Sequence, residues 1–221
     1  MIAASSANGL VSQLRGVRMN NWQALAETVE ARLAGISSDE RGVFAAGVAE
    51  RHLSWHESLP EDHQAPFTLS LRPLLDSVWA GVLGDGSAFA AVNRGVAEFM
   101  LSEYCHNDGQ EGPQEAGEPA AEATLQAAHT YLFGCVEFAI EVSRRAVDAA
   151  DLRDDYFDEL RGYDIPYTDA TLVAEVRRQL RDLDLIASHA DELGGAFRRG
   201  LAPEISARLR LELRTPLSSQ D

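Results

Sequence analysis

The sequence predicts an all-α fold, a single-domain multi-helix bundle of seven to nine helices. Apolar residues recur at three- and four-residue intervals along most of the chain, which is the spacing of one helix face. The chain lacks extended alternation of β-branched residues, and it lacks hairpin dipeptides flanked by such runs. Its 221 residues can be served by one hydrophobic core, so a single domain is predicted over residues 1–221.

Two helices are predicted in the first quarter of the chain. The first covers about 21–34, and the second begins at Ser38, whose side chain can cap the first backbone amides. The apolar stripe of the second helix is formed by Phe44, Val48 and Trp55. His52 and His56 fall on the flank of this stripe, where partly exposed polar residues are expected.

Further helices are predicted at about 69–83, at about 88–105 and from about 120 to 149. A stretch rich in Gly, Pro and acidic residues, at about 106–122, is predicted to be a flexible acidic loop, because it cannot bury enough apolar surface to offset the entropy of ordering. The remaining helices are expected at 151–161, 169–187 and 203–213. The core is expected between the helices near 69–83, 120–147 and 169–187.

The charge distribution makes nucleic-acid binding an unfavoured function. The chain has 35 acidic residues against 19 basic ones, all arginine, for a formal net charge of −16. Because binding to DNA or RNA relies on cations that displace counterions from phosphate, this charge opposes it. The exception is a basic stretch at 198–214, which leaves a nucleic-acid-associated regulator as a further alternative. Its arginines are Arg198, Arg199, Arg208, Arg210 and Arg214.

The middle of the chain is strongly acidic. Residues 101–160 contain fourteen acidic residues against three arginines, a net charge of −11. Such a stretch is typical of a solvated helix face, and it is also suited to docking a basic protein partner. The candidate partner-binding residues are Asp151, Asp154, Asp155 and Asp158.

A divalent metal site is the alternative for the histidine-rich stretch at 50–63. His52 and His56 are four residues apart and therefore share a helix face, which allows two ligands to reach one metal ion. His63 or Glu57 would supply a third ligand. The zinc-protease pattern has Glu directly after its first His, whereas Leu53 stands there in this chain.

The lack of other complete catalytic motifs favours a non-enzymatic protein. Asp154, Asp155 and Asp158 form a DDxxD pattern like the magnesium-binding motif of helical terpene synthases, but the chain is short for that fold and offers no convergent cations for a diphosphate. The chain contains no GxSxG elbow, Walker motif or GxGxxG turn after a strand. No cofactor is therefore predicted beyond the possible divalent metal.

Cysteine usage and hydropathy predict a cytoplasmic protein without a membrane partner. Cys105 and Cys135 form no CxxC pair, the N-terminus lacks the apolar core of a signal peptide, and no window is long and apolar enough to span a membrane. The abundance of Ala, with Arg in place of Lys, is typical of a GC-rich bacterial genome.

Several short stretches resemble the YjaG-like family of uncharacterised, all-helical bacterial proteins. "FAAGVAERHL" at 44–53 and "LRPLLDSVWAGV" at 71–82 are similar to two consecutive helices of that family. A third similarity lies at 172–186, in a Leu-x-x-Glu-x-x-x-Gln-x-x-Asp-Leu pattern. Its residues are Leu172, Glu175, Gln179, Asp182 and Leu183. The chain departs from the family after Arg51, where Ser54, Trp55 and His56 replace a Pro-Asn-Tyr turn.

The resemblance implies a bacterial cytoplasmic protein and carries over no catalytic residue. Together with the acidic region, it makes a protein-interaction or regulatory domain of the immunity or antitoxin type the leading hypothesis. The partner would be a protein, for which the acidic region favours a basic one, and a homodimer is an open alternative. The other two hypotheses are the metal-dependent enzyme at His52 and His56 and the nucleic-acid regulator.

Overall fold

The structure, a computed structural model, describes residues 21–106, 117–161, 169–199 and 202–219. Within these ranges it has no strand and contains nine α-helices of ten or more residues with one further single-turn helix, which confirms the all-α prediction. The helices are α1 (Asn21–Gly35), α2 (Ser38–Glu57), α3 (Pro66–Ser70), α4 (Arg72–Val82), α5 (Ala88–Met100), α6 (Gly117–Phe133), α7 (Val136–Arg161), α8 (Ala170–Ser188), α9 (Ala190–Arg199) and α10 (Pro203–Ser219). None of them has the length and apolar character needed to cross a membrane.

Helix α2 is the centre of the bundle, whereas the core was predicted between the helices near 69–83, 120–147 and 169–187. Every residue from Gly42 to Leu53 is buried, and α2 packs against α4, α6, α7, α8 and α10. Small residues let the neighbouring helices approach closely: a Cβ on Gly42 would lie 2.9 Å from Val82 Cγ1. The prediction that His52 and His56 lie on a partly exposed flank of α2 is therefore wrong, because both side chains are buried. A helix buried on all sides shows no polar face when its charged residues find partners on other helices.

The start of α2 follows from local hydrogen bonds. Ser37 is its N-cap rather than Ser38, because the Ser37 side chain accepts from the Glu40 amide while the Glu40 carboxylate accepts from the Ser37 amide. This reciprocal capping box satisfies two backbone donors at the helix start.

A turn at Gly134 divides the long helix predicted at 120–149. Gly134 has a φ of +66°, which an L side chain rarely adopts, so α6 ends at Phe133 and α7 begins at Val136. Arg41 fixes the turn by donating to the Gly134 carbonyl at 3.1 Å. The acidic segment predicted as a separate helix at 151–161 instead continues α7.

The predicted acidic loop is shorter than 106–122. Residues 117–122 form the first turns of α6, with Pro119 near the helix start, where its missing N–H is tolerated. His106 belongs to a short 3-10 helix, and 107–116 lie outside the described residues. The helix predicted near 69–83 is divided into α3 and α4, and Pro73 lies in the first turn of α4.

The core joins most helices of the described ranges. Its large, fully buried side chains come from several elements of the bundle, and they form one contiguous cluster. Examples are Leu33, Phe44, Trp79, Leu183 and Leu213. This apolar cluster surrounds the charged residues of α2, which face α4, α8 and α10.

Candidate functional site

Three consecutive residues of α2 carry ionisable side chains into the interior. Glu50, Arg51 and His52 are 0%, 4% and 3% exposed. Because consecutive helical residues point about 100° apart, Glu50 faces α4 and α10, whereas Arg51 and His52 both face Glu175 of α8. We call Glu50, Arg51 and their ion-pair partners the buried charge network.

Glu50 connects α2 to α4 and α10. Arg72 of α4 donates to both of its carboxylate oxygens, at 2.8 and 2.9 Å, and Arg214 of α10 donates at 2.6 Å. The Trp79 indole N–H and the Ser54 hydroxyl also donate to this carboxylate, at 3.1 and 2.9 Å. Burial opposes ionisation of Glu50, but the two arginines and Ser54 outweigh it and hold the pKa of Glu50 below its usual value.

Arg51 connects α2 to α8 and to the end of α10. Its guanidinium donates to Glu175 at 2.7 Å, to Asp182 at 2.9 Å and to the Leu217 carbonyl. Arg51 holds the pKa of the buried Glu175 well below its usual value. The pKa of Asp182 is raised to about 6, because burial outweighs its pairing with Arg51.

Gln179 and Ser143 complete the α8 side of the network. The Gln179 side-chain amide donates to Glu175 at 3.1 Å and to the Ser143 backbone carbonyl at 3.2 Å, while the Ser143 hydroxyl donates to the side-chain Oε1 of Gln179 at 2.5 Å. Glu175, Gln179 and Asp182 thus present one polar line on an otherwise apolar helix face, which matches their spacing of four and three residues.

His52 and His56 occupy separate environments. His52 Nε2 lies 3.6 Å from a Glu175 oxygen, beyond hydrogen-bond range, and burial lowers the pKa of His52. His56 Nε2 accepts from the Ala65 amide at 2.7 Å, which ties the end of α2 to the start of α3. Desolvation lowers the pKa of His56 to about 4, so the ring is neutral and its proton lies on Nδ1.

The structure does not bring the predicted metal ligands together. His63 lies in a short 3-10 helix, where its Nε2 is 3.9 Å from Asp62, and Glu57 is paired with Arg72 at 2.5 Å. In the described part of the chain, no three His, Cys, Asp or Glu side chains are arranged so that they could hold a metal ion. The orientation of His56 supplies a reason, because its Nε2 lone pair is already used by a backbone amide.

The predicted acidic docking residues are only partly described. Asp151 is half-buried on α7, whereas Asp154, Asp155 and Asp158 are on the same helix with side chains outside the described set. Elsewhere in the acidic region the charge is compensated locally. Arg145 lies within ion-pair distance of Glu122, Glu141 and Asp148, at 2.7, 3.8 and 3.0 Å.

The three arginine side chains of the 198–214 stretch that the structure describes each have a carboxylate within ion-pair distance. Arg210 pairs with Asp76 of α4, and Arg214 pairs with the buried Glu50. Arg208 is 62% exposed and lies 3.8 Å from Glu192. The side chains of Arg198 and Arg199 lie outside the described set. These pairings weaken the case for a phosphate-binding surface on α10.

Exposed aromatic side chains surround the turn between α6 and α7. Phe133 is 61% exposed and Phe89 of α5 is 51% exposed. The Phe89 ring is 6.4 Å from Tyr131, and the Phe133 ring is 5.8 Å from Phe138, between ring centroids. We call Phe89, Tyr131, Phe133 and Phe138 the aromatic patch. Tyr131 and Phe133 also line a cavity of about 290 Å³ that reaches Gly42.

Two acidic residues border the aromatic patch. Asp85 is exposed in the turn before α5, and together with burial it raises the pKa of Tyr131, with burial the larger cause. Glu137 is exposed next to Phe138 at the start of α7. The patch therefore combines apolar contact area with negative charge at its edge.

Comparison with known protein families, with curated proteins and with solved structures finds no match to this chain. Some of the residues in the stretches that resemble the family are polar and lie in the interior. They are Glu50, Arg51, Glu175, Gln179 and Asp182. The sequence did not predict that these residues are buried. The signal that could have found it is the polar line at positions 175, 179 and 182, which interrupts the apolar residues Leu172, Val176 and Leu183.

Substituting His56 with glutamine should remove a pH-dependent component of stability. The folded pKa of about 4 lies below the ordinary value of 6.5, so between these values the unfolded chain binds more protons and stability falls as the pH falls. The full contribution of His56 to the free energy of unfolding is about 3 kcal/mol, because each pKa unit corresponds to about 1.36 kcal/mol. The Gln Oε1 can still accept from the Ala65 amide. Urea unfolding at several pH values between 4 and 7 measures the component as the difference from wild type.

That difference is needed because other groups titrate in the same range. Asp182, with its raised pKa, makes stability fall as the pH rises toward 6, whereas His52 acts in the same direction as His56. Parallel stability curves for wild type and His56→Gln would contradict the assignment of a neutral, buried His56.

Proposed function

We propose that the chain is a non-enzymatic binding protein that docks a basic protein segment on its aromatic patch. The observation that carries the proposal is the exposure of Phe89 and Phe133 beside a cavity, with Asp85 and Glu137 at the edge. Clustered exposed aromatic residues are typical of protein interfaces, where they supply most of the binding free energy.

The arrangement of the buried charges supports a binding role over catalysis. The charged groups of the network are compensated by one another, as with Glu50, which is satisfied by Arg72, Arg214 and Trp79. Such a network fixes the relative positions of α2, α4, α8 and α10. Its ion pairs therefore stabilise α2 and α4, against which the patch helices α5, α6 and α7 pack.

The chemistry of the partner follows from charge and shape. The chain has a net charge of −16, and acidic residues border the patch, so a basic segment is attracted while an acidic one is repelled. The cavity beside Tyr131 and Phe133, of about 290 Å³, can accept one apolar side chain of the partner. The preferred segment therefore carries arginine or lysine residues around an apolar anchor.

The aromatic patch can be tested with the double variant Phe89→Ser and Phe133→Ser. Purified wild-type protein would be used to capture proteins from a bacterial lysate, and the captured protein would then be purified and titrated directly. We expect a basic protein whose affinity falls at least about tenfold with the double variant, because aromatic anchors dominate interface energies. Leu211→Ser is the matched control, since Leu211 is 68% exposed on α10, and it should leave the affinity unchanged.

Four outcomes would contradict the proposal. Equal affinity of the wild type and the double variant would exclude the patch, as would capture of acidic partners alone. Loss of capture on reversing Asp151, Asp154, Asp155 and Asp158 to Arg, without an effect of the aromatic substitutions, would place the partner on the acidic end of α7 instead. A homodimer that dissociates in the double variant, measured by native mass spectrometry, would replace the basic partner with a second copy of the chain.

A further inference from the structure

A cavity of about 550 Å³ lies where the carboxyl end of α4 meets the amino end of α10. One wall is formed by the end of α4 and the turn that follows it, up to Gly86, and the other by one side of α10 between Pro203 and Arg210. The Ser206 hydroxyl donates to the Leu83 carbonyl at 3.3 Å and so joins the two walls. The volume falls within the range of small-molecule sites, about 300–1,000 Å³. We call this space the helix-end cavity.

Arg210 supplies a positive charge on the α10 wall of the helix-end cavity. Its side chain is partly buried, and its Nη2 pairs with Asp76 of α4, which holds the guanidinium in place. Because this pairing uses Nη2, the Nη1 group of Arg210 remains able to donate to a ligand. The α10 wall therefore presents a fixed cation that is still free to bind an anionic group.

Asp85 supplies a negative charge on the α4 wall of the same cavity. Its Oδ1 accepts from the Ser87 hydroxyl at 2.6 Å and from the Ser87 amide at 2.9 Å. The hydroxyl bond and then the amide bond lower the pKa of Asp85, so its carboxylate is ionised at neutral pH. Both bonds go to Oδ1, which leaves Oδ2 for a ligand. Gly84, with a φ of +99°, turns the chain at the end of α4 and brings Asp85 to the cavity.

The two helix ends give the cavity the same polarity as its charged side chains. The amino end of a helix carries a partial positive charge and the carboxyl end a partial negative one. Ala202, which precedes α10, has no side-chain acceptor to cap the first amides of that helix. Glu204 in the first turn is exposed and does not line the cavity. One wall is therefore positive and the other negative, so an occupant with a single charge would meet a like charge on one side.

The rest of the helix-end cavity is apolar. Ala80 and Leu83 lie on the α4 wall, and Pro203 and Ala207 lie on the α10 wall. A Cβ on Gly86 would meet no atom within 4 Å, so the turn leaves open space beside the cavity. These walls suit an apolar group attached to the two charged groups of the occupant.

We propose that the helix-end cavity binds a small zwitterion, namely a free amino acid with an apolar side chain. Its carboxylate accepts from Arg210 and from the first amides of α10, and its ammonium group donates to Asp85. This site goes beyond the proposed docking of a basic segment. Apart from Asp85, no residue that lines the cavity belongs to the aromatic patch or its border, so the two proposals can fail separately.

Isothermal titration of the full chain with L-leucine and with L-phenylalanine tests this site. We expect saturable binding of one molecule per chain for at least one of the two. Isoamylamine and phenethylamine are the matched analogues without the carboxylate, and 4-methylpentanoate and 3-phenylpropionate are those without the ammonium group. Each analogue should bind about tenfold or more weakly than its amino acid, since it lacks one set of charge-assisted hydrogen bonds.

Substitutions on α10 show where the amino acid binds. Arg210→Gln should weaken binding about tenfold or more, whereas Arg208→Gln loses the same charge at an exposed position that does not line the cavity. Asp76→Asn removes the ion pair but keeps Arg210, so it should not weaken binding. Ala207→Trp fills the cavity without a change of charge and should abolish binding, while Ile205→Trp, at an exposed position away from the cavity, should not.

The proposal is overturned if neither amino acid binds saturably at millimolar concentration, or if an analogue binds as tightly as its amino acid. Undiminished binding by the Ala207→Trp variant, or equal effects of Arg210→Gln and Arg208→Gln, would also overturn it. A loss in Asp76→Asn as large as that in Arg210→Gln would assign the effect to the ion pair and remove Arg210 from the site. Circular dichroism checks that the variants fold, and Ala207, being exposed, tolerates a larger side chain.

Discussion

Replacing Arg51 with methionine is expected to destabilise the fold by about 3–5 kcal/mol, the range for removing one partner of a buried ion pair. Methionine preserves much of the side-chain volume, so the loss reports the charge rather than a cavity. The substitution leaves Glu175 and Asp182, which are 1% and 2% exposed, without their cation. It also removes the donor to the Leu217 carbonyl, which holds α10 against α2. Urea unfolding at pH 7.5 measures the change.

The pH dependence of this variant distinguishes lost charge compensation from general damage. Without Arg51, the buried carboxylates can become neutral by taking up protons, and Asp182 already has a pKa of about 6. The destabilisation should therefore be smaller at pH 5 than at pH 7.5. Arg32→Met is the control, because Arg32 pairs on the surface with Asp184, which is 71% exposed, and its loss should cost less than about 1 kcal/mol. Equal effects of the two substitutions would show that the network contributes nothing beyond a surface pair.

Glu50→Gln is expected to cost about 2–3 kcal/mol, since hydrogen bonds to a charged group contribute more than neutral ones. The amide has nearly the same shape, but one of its atoms becomes a donor that faces the guanidinium of Arg72 or Arg214. We expect a smaller effect than for Arg51→Met, because Arg72 and Arg214 are 21% and 38% exposed and can regain contact with water. Near-ultraviolet circular dichroism should change as well, since Trp79 donates to this carboxylate.

Glu57→Gln is the matched control for Glu50→Gln. Glu57 binds the same guanidinium of Arg72, but its side chain is 27% exposed, so its substitution should cost less than about 1 kcal/mol. A larger effect for Glu57 than for Glu50 would contradict the assignment of Glu50 as the centre of the α4 and α10 contacts. Thermal unfolding of both variants, measured in parallel, gives the comparison.

The fold class was predictable from the sequence, but the arrangement around α2 was not. Helical spacing is a local property, and it correctly indicated helices such as α1 and α8 to within one or two residues. The same spacing runs through "YLFGCV", so the turn at Gly134 could not be seen. Its positive φ is fixed from outside the segment, where Arg41 of α2 binds the Gly134 carbonyl.

The candidate sites were less predictable, because their partners are distant in the sequence. His52 and His56 lie on one helix as expected, yet His52 faces Glu175 of α8 and His56 faces the Ala65 amide. Charge counting along the chain cannot reveal that Arg145 is surrounded by acids while Arg153 stacks on Trp55.

The sequence by itself determined the all-helical character, the net negative charge and the absence of the common catalytic motifs, since each of these depends on residue type and spacing alone. Only the tertiary structure decided that α2 is central and that Glu50 and Arg51 are buried. The physical reason is that a charged side chain can enter the core when opposite charges from other helices compensate its lost hydration. Those partners lie as far away in the chain as Asp182 and Arg214, and only folding brings them to α2.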